Sequence, residues 1–406
     1  MERAEFFRDS LPDHPGPLAG LRVLDVSKVW SGPMAGCVLA DMGADVVRVE
    51  MPGNREGELP PALPGTTRSW FRESVNRNKR SLSLDLRKDG AAEVFLRLVD
   101  SADVVLENYL PGTMERWGVG YRHCRERRPD IVYVSLSGYG QYGPGAGRPG
   151  YDPVVQADTG WMALNGTCGG GPVRAPTFLA DDLAGLHAAL GALAALRHRD
   201  ATGEGQHVDV AMQDALLFQS AGYLTLAAAG APPRRWGNQT EFVAPSNIYD
   251  CADGQVYVTV ALDRQWRRFT ELAGRTDLAR APGYGRNTER LANRHAVDRL
   301  LAEWCGAHDS HEAVRKLQEA GITAARVRDY AEAAADPQVR EREMLVDTEL
   351  ADGSTAPLTG TAVKFSRTPT TVRRAAPLPG ADTDALLAEA GYDSAARARL
   401  RERGVV

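Results

Sequence analysis

Two adjacent carboxylates, Asp181 and Asp182, stand at the start of the longest apolar stretch of the chain. Residues 183–196 are mostly Ala, Leu and Gly, which predicts a buried helix that begins at the two acids. An aspartate at a helix N-terminus is stabilised by the helix dipole and commonly serves only as an N-cap. A carboxylate can also attack an acyl electrophile such as a thioester and form a mixed anhydride. The residues alone leave both roles open.

A glycine-rich stretch suggests a second chemistry, which its surroundings exclude. Residues 138–143 read Gly-Tyr-Gly-Gln-Tyr-Gly and match the dinucleotide fingerprint G-x-G-x-x-G. That motif holds a pyrophosphate where a helix N-terminus follows it. Residues 144–149 read Pro-Gly-Ala-Gly-Arg-Pro and cannot open a helix. We therefore expect no nicotinamide cofactor.

The first half of the chain alternates predicted strands and helices. Residues 21–26 and 44–50 indicate buried strands, with a turn at 31–33 and a helix to Met42 between them, which makes a βαβ unit with parallel strands. Further strands are predicted at 81–86, 103–107, 131–135 and 206–210, and helices at 90–101 and from Asp182 to the 197–205 region. This order predicts a doubly wound, Rossmann-like α/β domain with a parallel sheet.

The second half indicates a smaller α+β domain and a return to the first. A break at 230–233, Gly-Ala-Pro-Pro, marks the boundary. Elements are predicted as a strand at 256–260, helices at 213–229, 263–272, 288–305 and 310–320, short strands after about residue 329, and closing helices at 382–390 and 394–403. We expect residues 1–223 to form the large domain, completed by 331–406, and residues 224–330 to form the small domain.

Composition restricts the partners of this 406-residue chain. Its net charge of −5 and the lack of a long basic block argue against nucleic acid. Five dispersed cysteines, without C-x-x-C pairs, argue against a zinc site or a disulfide framework and favour a reducing compartment. Residues 1–17 lack the pattern of a signal peptide, and the run 183–196 is too short to span a bilayer. We expect a cytoplasmic protein with no metal and no membrane partner.

Many short stretches, in order along nearly the whole chain, form one recognisable set. They lie at 18–25, 31–33, 43–50, 78–86, 107–109, 150–152, 179–181, 202–206 and 378–392. Together they resemble the class III CoA-transferases, the CaiB/BaiF family that includes formyl-CoA transferase and carnitine CoA-transferase. The resemblance implies a Rossmann-like large domain, a small domain, and an interlocked homodimer in which each chain threads through the ring made by the other.

The resemblance also implies site residues. The family's nucleophile stands four residues before a glycine, a spacing that Asp181 has with Gly185 and Asp182 does not. CoA contacts are implied at Trp30, Ser31, Leu84, Asp85, Leu86, Arg87, Asn108, Tyr109, Leu110, Arg116, Pro149, Gly150, Tyr151 and Asp152. The phosphates of CoA require cations, for which Arg87, Arg116, Lys79 and Arg80 are candidates. No cofactor is expected beyond CoA or acyl-CoA as substrate.

The implied reaction moves CoA from an acyl-CoA thioester to a carboxylic acid through a covalent intermediate on Asp181. One alternative is an acyl-CoA racemase, which shares the fold and the aspartate. Racemases use a His-Asp pair as second base, whereas this chain has Tyr151-Asp152, and tyrosine is a poor base near neutral pH. A second alternative is a CoA-binding protein without catalysis, in which Asp181 is only a cap.

Two departures from the family pattern affect this reading. Residues 236–241, Trp-Gly-Asn-Gln-Thr-Glu, contain a single glycine where formyl-CoA transferase has a glycine run that covers the nucleophile. We therefore expect a stiffer or shorter lid and an acceptor other than oxalate. Asp382 stands where the family usually has His.

Overall fold

The computed structural model of the chain describes residues 2–53 and 61–406. The chain forms two compact units. The first contains Met1–Trp161, Ala175–Thr225 and Pro337–Val406, and the second contains Met162–Arg174 and Leu226–Asp336. The C-terminal segment thus belongs to the first unit, and residues 162–174, which the sequence assigns to the large domain, belong to the second.

A six-stranded parallel sheet forms the centre of the first unit. Its strands are β1 (Arg22–Asp25), β2 (Asp45–Glu50), β3 (Lys79–Ser83), β4 (Val104–Glu107), β5 (Val132–Ser137) and β6 (His207–Ala211). Their order is β3-β2-β1-β4-β5-β6, and each neighbouring pair is parallel. This confirms the predicted doubly wound fold. The order reverses between β1 and β4, which is the point where open α/β sheets bind ligands.

Helices cover both faces of this sheet. The helices described in residues 2–228 are, in chain order, α1 (Arg3–Phe6), α2 (Ser31–Asp41), α3 (Trp70–Asn76), α4 (Ala91–Val99), α5 (Thr113–Arg116), α6 (Tyr121–Arg127), α7 (Asp152–Asp158), α8 (Trp161–Leu164), α9 (Leu179–Thr202), α10 (Met212–Phe218) and α11 (Tyr223–Ala228). Parts of α8 and α11 belong to the second unit. Successive strand residues enter opposite cores, because side chains alternate along a strand. Val23 packs in the core that contains the alanines of α9, and Leu24 packs in the core that contains Phe95 of α4.

Helix α9 extends further at both ends than the apolar run that predicts it. Among the described residues it is the one helix with the length and composition to cross a membrane, and 44% of its most apolar window is buried. Ala184, Ala188 and Ala192 lie fully buried on one side of it. This is the placement of a core helix.

The second unit has the predicted α+β character. Strands β7 (Ser246–Asp250), β8 (Gln255–Thr259) and β9 (Thr323–Arg326) form an antiparallel sheet. Its helices are α12 (Asp263–Leu272), a 3-10 helix (Thr276–Leu278), α13 (Asn287–Ala292), α14 (Arg294–Gly306), α15 (Ser310–Glu319) and α16 (Tyr330–Ala334). Trp266, Phe269 and Leu301 are fully buried in its core.

The C-terminal segment closes the first unit. It contains α17 (Pro337–Glu341), the antiparallel pair β10 (Leu345–Glu349) and β11 (Thr355–Thr359), α18 (Thr383–Glu389) and α19 (Ser394–Glu402). Asp382 joins this segment to the edge of the large sheet: its Oδ2 accepts the N–H of Ser81 at 2.8 Å, and its own N–H donates to the Ser81 carbonyl at 2.9 Å. In this chain, the aspartate at the family's histidine position therefore binds backbone of β3.

Candidate active site

The N-terminus of α9 carries both acids, and neither caps it. Helix α9 begins at Leu179 after Phe178, which makes no side-chain capping bond. The N–H of Ala180 instead donates to Oδ1 of Asp152, the first residue of α7, at 2.7 Å. The capping role that the sequence leaves open for Asp181 is thus filled by a carboxylate from another helix.

The Asp181 carboxyl lies in an environment that disfavours its charge. Burial is the main cause that raises its pKa to about 7; the negative charges of Asp152 and Asp182 act in the same direction, and a hydrogen bond from Ser31 opposes them. Burial also raises the pKa of Asp182, against a hydrogen bond from the Trp30 indole N–H to its Oδ1 at 2.7 Å. The Asp181 carboxyl therefore keeps its proton to higher pH than an ordinary aspartate does.

A glycine sets the distance between α9 and α2. A Cβ atom on Gly185 would lie 2.8 Å from the carbonyl oxygen of Ser31 and 3.1 Å from Cβ of Met34. A hydrogen at this position therefore lets the two helices meet. Gly185 follows Asp181 by one helical turn on the same face, so this contact brings Asp181 beside Ser31.

Aromatic side chains form a wall next to the acids. The ring of Trp30 lies 4.7 Å from that of Phe178, 4.9 Å from that of Phe71 and 5.7 Å from that of Trp70, between centroids. Of these four residues, the sequence prediction includes Trp30 alone. Trp70 and Phe71 were missed because they belong to helix α3, which was not predicted. Phe178 directly precedes the helix that carries the two acids.

A cleft of about 650 Å³ lies at the reversal point of the sheet. Its lining residues are Ser27, Lys28, Val49, Glu50, Met51, Pro52, Gly53, Arg87, Tyr109, Leu110, Thr113 and Trp117. Arg87, Tyr109 and Leu110 were predicted as CoA contacts. Lys28, Met51 and Trp117 were not, although Lys28 and Met51 follow the ends of β1 and β2, at the edge where ligands bind.

Asn108 fixes the loop between β1 and α2. Its side chain accepts the N–H of Lys28 and donates to the carbonyl of Lys28, each at 2.8 Å. The Lys28 ammonium lies 4.8 Å from the centre of the Tyr109 ring, which in turn meets Trp117 edge to face at 4.9 Å. This loop continues directly to Trp30 and Ser31, which contact the two acids, so one short segment joins the cleft to Asp181.

The 84–87 stretch supplies one exposed cation. Leu84 and Leu86 are buried in the hydrophobic core. Asp85 is also buried, and it accepts two hydrogen bonds of 2.8 Å from the exposed guanidinium of Arg87. The structure therefore offers Arg87 to a ligand in the cleft and uses the three preceding residues for support. Arg116 is exposed at the end of α5 and donates to Thr113 at 2.9 Å.

The 149–152 stretch is divided between surface and interior. Pro149 is exposed, Tyr151 is 64% exposed, and Asp152 is 2% exposed. Gly150 crosses Gly138 so closely that a Cβ on Gly150 would lie 2.7 Å from the Cα of Gly138. Residues 144–147 form a turn, and the next helix begins only at Asp152, as expected for a G-x-G-x-x-G stretch that opens no helix.

Lys79 and Arg80, two of the candidate phosphate cations, both form ion pairs within the first unit. The Lys79 ammonium is fully buried and donates to Oδ2 of Asp25 at 2.7 Å and to the Pro33 carbonyl at 2.8 Å. Arg80 forms ion pairs with Asp45 and Glu389. The acidic partners lie on β1 for Lys79 and on β2 and α18 for Arg80, and the local sequence does not reveal them.

Residues 236–241 belong to the second unit. The Trp236 ring lies between the guanidinium groups of Arg234 and Arg294, at 5.6 and 4.8 Å from its centre. Gln239 donates to Asp298 at 2.7 Å. These contacts hold the segment to its own unit, and its role as a lid stays a prediction.

Comparisons with known proteins agree with this geometry. Residues 18–383 match the family described as CoA-transferase family III. Succinyl-CoA:mesaconate CoA-transferase of Haloarcula hispanica is 38% identical over 391 residues, which cover 93% of this chain and 97% of that protein. Succinate–glutarate CoA-transferase of Agrobacterium fabrum is 33% identical, with 93% and 97% covered. A CAIB/BAIF family protein from Brucella suis has a crystal structure with a TM-score of 0.83 and 31% identity, covering 93% of this chain and 100% of that one. The chain therefore belongs to CoA-transferase family III.

Proposed function

We propose that this CoA-transferase exchanges CoA between an acyl-CoA thioester and a short dicarboxylic acid, with Asp181 as the covalent nucleophile. The observation that carries the proposal is a partly buried Asp181 at a helix N-terminus that another acid already caps. The named substrates of relatives support the substrate class: succinyl-CoA with mesaconate or L-malate, and succinate with glutarate. Each of these acids carries two carboxyl groups.

The reaction proceeds by successive acyl exchanges. The Asp181 carboxylate attacks the thioester carbonyl, CoA thiolate leaves, and a mixed anhydride forms. The thiolate then attacks the aspartyl carbonyl, which releases the donor acid and leaves an aspartyl-CoA thioester. The acceptor carboxylate attacks that thioester and expels the thiolate again. A last attack by the thiolate, on the acceptor's carbonyl, yields the new acyl-CoA and frees Asp181.

CoA itself fits the cleft at the sheet reversal. Its phosphates suit the exposed guanidinium of Arg87 and the ammonium of Lys28. Tyr109 and Trp117 offer aromatic surface to the adenine. The loop 27–31 then leads from the cleft toward Asp181, which is the direction that the pantetheine arm takes in this proposal.

The test is chemical trapping of the intermediate. The protein is mixed with succinyl-CoA and hydroxylamine, and the peptide that contains both acids is analysed by mass spectrometry. We expect a hydroxamate on Asp181. Asp181→Asn should abolish the adduct and the transfer to mesaconate or glutarate, whereas Asp182→Asn, the matched control, should keep an adduct on Asp181. Substantial transfer by Asp181→Asn would exclude the mechanism.

Two alternatives have less support. A racemase needs a second base, but Tyr151 is a poor base near neutral pH, and Asp152 is buried with its oxygens bonded to Ala180 and Gln156. A CoA-binding protein without catalysis needs Asp181 as a cap, a role that Asp152 fills. Exchange of the α-hydrogen of a 2-methylacyl-CoA for deuterium, at a rate near turnover, would favour the racemase.

We also propose a cytoplasmic homodimer. Large apolar side chains are exposed on consecutive helices: Leu186 and Leu190 on α9, Phe218 on α10 and Leu224 on α11. Leu190 is 63% exposed and Phe218 is 78% exposed, which favours burial by a second copy of the chain. Sedimentation at low micromolar concentration should show twice the 43.9 kDa chain mass; a folded, active species at the chain mass would exclude the dimer.

A further inference from the structure

A buried series of hydrogen bonds controls the approach to α9. Oδ1 of Asp152 accepts the N–H of Ala180 at 2.7 Å, and its Oδ2 accepts an amide N–H of Gln156 at 2.7 Å. Oε1 of Gln156 accepts the N–H of Ala175 at 2.8 Å. Gln156 is fully buried, one turn after Asp152 on α7. This pair therefore holds both ends of the 175–180 segment, which leads directly into Asp181.

The directions of these bonds leave little freedom. The Gln156 amide has its oxygen on Ala175 and its nitrogen toward Asp152, so residue 152 must accept a hydrogen bond there. It must also accept the bond from Ala180 with its other oxygen. A carboxylate meets both demands, and hydrogen bonds to an ionised acceptor are shorter and stronger than neutral ones.

We propose that Asp152 is a positioning residue for Asp181 and not a CoA ligand, and that Asp152 and Gln156 act as a clamp on the segment that begins α9. This inference rests on the proposed role of Asp181 as nucleophile. The clamp sets the start of α9, and the Gly185 contact one turn later sets its distance from α2. Together they fix Asp181 beside Ser31.

The clamp has an electrostatic effect as well. The polar and charged groups that act on the Asp181 carboxyl are Ser31 of α2, Asp152 of α7 and its neighbour Asp182. The charge of Asp152 and that of Asp182 raise the pKa of Asp181, in addition to burial, and the Ser31 hydrogen bond lowers it. Moving the charge of Asp152 away from α9 should therefore lower the pKa of Asp181.

The hydrogen-bond directions allow geometry and charge to be separated. Asp152→Asn keeps an oxygen that accepts the N–H of Ala180, but it turns an amide N–H toward the amide N–H of Gln156. If Gln156 rotates its oxygen toward this new donor, the N–H of Ala175 loses its acceptor. Adding Gln156→Glu removes the conflict, because a glutamate accepts both from the new amide at position 152 and from the N–H of Ala175. The double variant keeps the net charge and the same set of hydrogen-bonded partners. Its negative charge lies on residue 156 instead of residue 152, one hydrogen bond further from the N–H of Ala180.

The experiment measures transfer kinetics, thermal unfolding and the pKa of Asp181 in these variants. The pKa comes from infrared difference spectra across the neutral pH range, each variant minus the same variant with Asp181→Asn, and requires no turnover. For Asp152→Asn we expect kcat to fall about 10- to 100-fold, with KM for succinyl-CoA changed less than about threefold, because small misplacement of a reacting group costs this much. The double variant should recover most of kcat and show a lower pKa of Asp181.

Asp158→Asn is the matched control. Asp158 ends the same helix and pairs with Arg148 at 3.1 Å near the surface, so its kinetics and the pKa of Asp181 should be unchanged. A rise in KM that the double variant does not reverse would identify Asp152 as a CoA contact and overturn the proposal. Recovered folding without recovered kcat, or an unchanged pKa of Asp181, would also overturn it. Failure of the proposed function can be told apart from failure of the clamp proposal. In that case the unsubstituted protein would show no trapped adduct, whatever pKa the infrared titration gives for Asp181.

Discussion

Gly185→Ala tests whether the contact between α2 and α9 places the nucleophile. The added Cβ would lie 2.8 Å from the backbone oxygen of Ser31, where ordinary contacts begin at 3.4 Å. Backbone cannot rotate away, so α9 must move by about 0.6 Å, the difference of these two distances. A displacement of about 1 Å can cost about 100-fold in rate; scaled to the smaller movement, we expect kcat to fall about tenfold.

Gly185→Ala should cost little stability, because the higher helix propensity of alanine compensates part of the overpacking. Overpacking a tight contact costs about 1–3 kcal/mol, and replacing glycine by alanine inside a helix returns about 1 kcal/mol. The variant should therefore fold, with a net loss of about 0–2 kcal/mol. Its rate of adduct formation with succinyl-CoA and hydroxylamine isolates the attack by Asp181 from the later steps.

Gly191→Ala provides the control on the same helix. Its Cβ would lie 2.9 Å from a methyl group of Val208, on β6 and not on α2. This overpacking should lower stability about as much as Gly185→Ala does, but kcat should be unchanged, because the contact with α2 is untouched. If Gly185→Ala keeps full kcat, or if both variants lose activity equally, the helix contact does not position Asp181 and the reasoning fails.

Three other substitutions test the charges in and around the site. Asp181→Asn should stabilise the fold increasingly as pH rises from about 4 through 7, because a raised folded-state pKa means that ionised Asp181 destabilises the native state. The shift from 3.8 to about 7 sets an upper limit of about 4 kcal/mol, and urea unfolding of both proteins at about pH 4 and about pH 8 measures it. Lys79→Met should lower the free energy of unfolding by about 3–5 kcal/mol, because it leaves Asp25 buried without its ammonium partner. A loss no larger than that of the surface substitution Lys88→Met would contradict this prediction. Lys28→Ala should weaken CoA binding about tenfold in calorimetric titrations at low salt, and less at high salt. Equal affinities of the variant and the unsubstituted protein would mean that Lys28 does not bind the CoA phosphates.

The parallel sheet could be predicted because its strands are short apolar runs that stand out from their surroundings. β3 is the exception, since the expected strand at 81–86 lies at Lys79–Ser83. Its first two residues are charged and resemble a loop. They enter the sheet because Asp45 on the neighbouring strand β2 neutralises Arg80, and Asp25 on β1, one strand further, neutralises Lys79. Such long-range pairs leave no mark in the local sequence.

Helix boundaries failed where turn residues were overlooked. The expected helix at 213–229 is two helices, because Ala221 and Gly222 take positive φ values of 52° and 82° between them. Helix α7 is absent from the prediction, which places Asp152 in a loop. Proline is favoured in the first turn of a helix, so Pro153 carried a signal that could have been used.

The candidate site divides in the same way between local and distant information. The residue types allowed Asp181 to be a cap or a nucleophile, and the family resemblance favoured the second role. What separates the two roles physically is Asp152, whose contact with Ala180 spans 28 residues of chain. The local sequence around Asp181 reveals neither that contact nor the one between Gly185 and the backbone of Ser31.

The N-terminus of a helix ordinarily stabilises a carboxylate by about 0.3–1 kcal/mol. Here that benefit goes to Asp152, which takes the Ala180 N–H, and burial with two neighbouring acids raises the pKa of Asp181 to about 7. A more basic carboxylate attacks a thioester faster but leaves an anhydride more slowly than an ordinary carboxylic acid of pKa near about 4. In the mixed anhydride of the proposed mechanism, the returning thiolate should therefore expel the substrate acid more readily than Asp181. This preference would favour the aspartyl-CoA thioester over return to the acyl-CoA, so we expect trapping with hydroxylamine to label Asp181 during turnover.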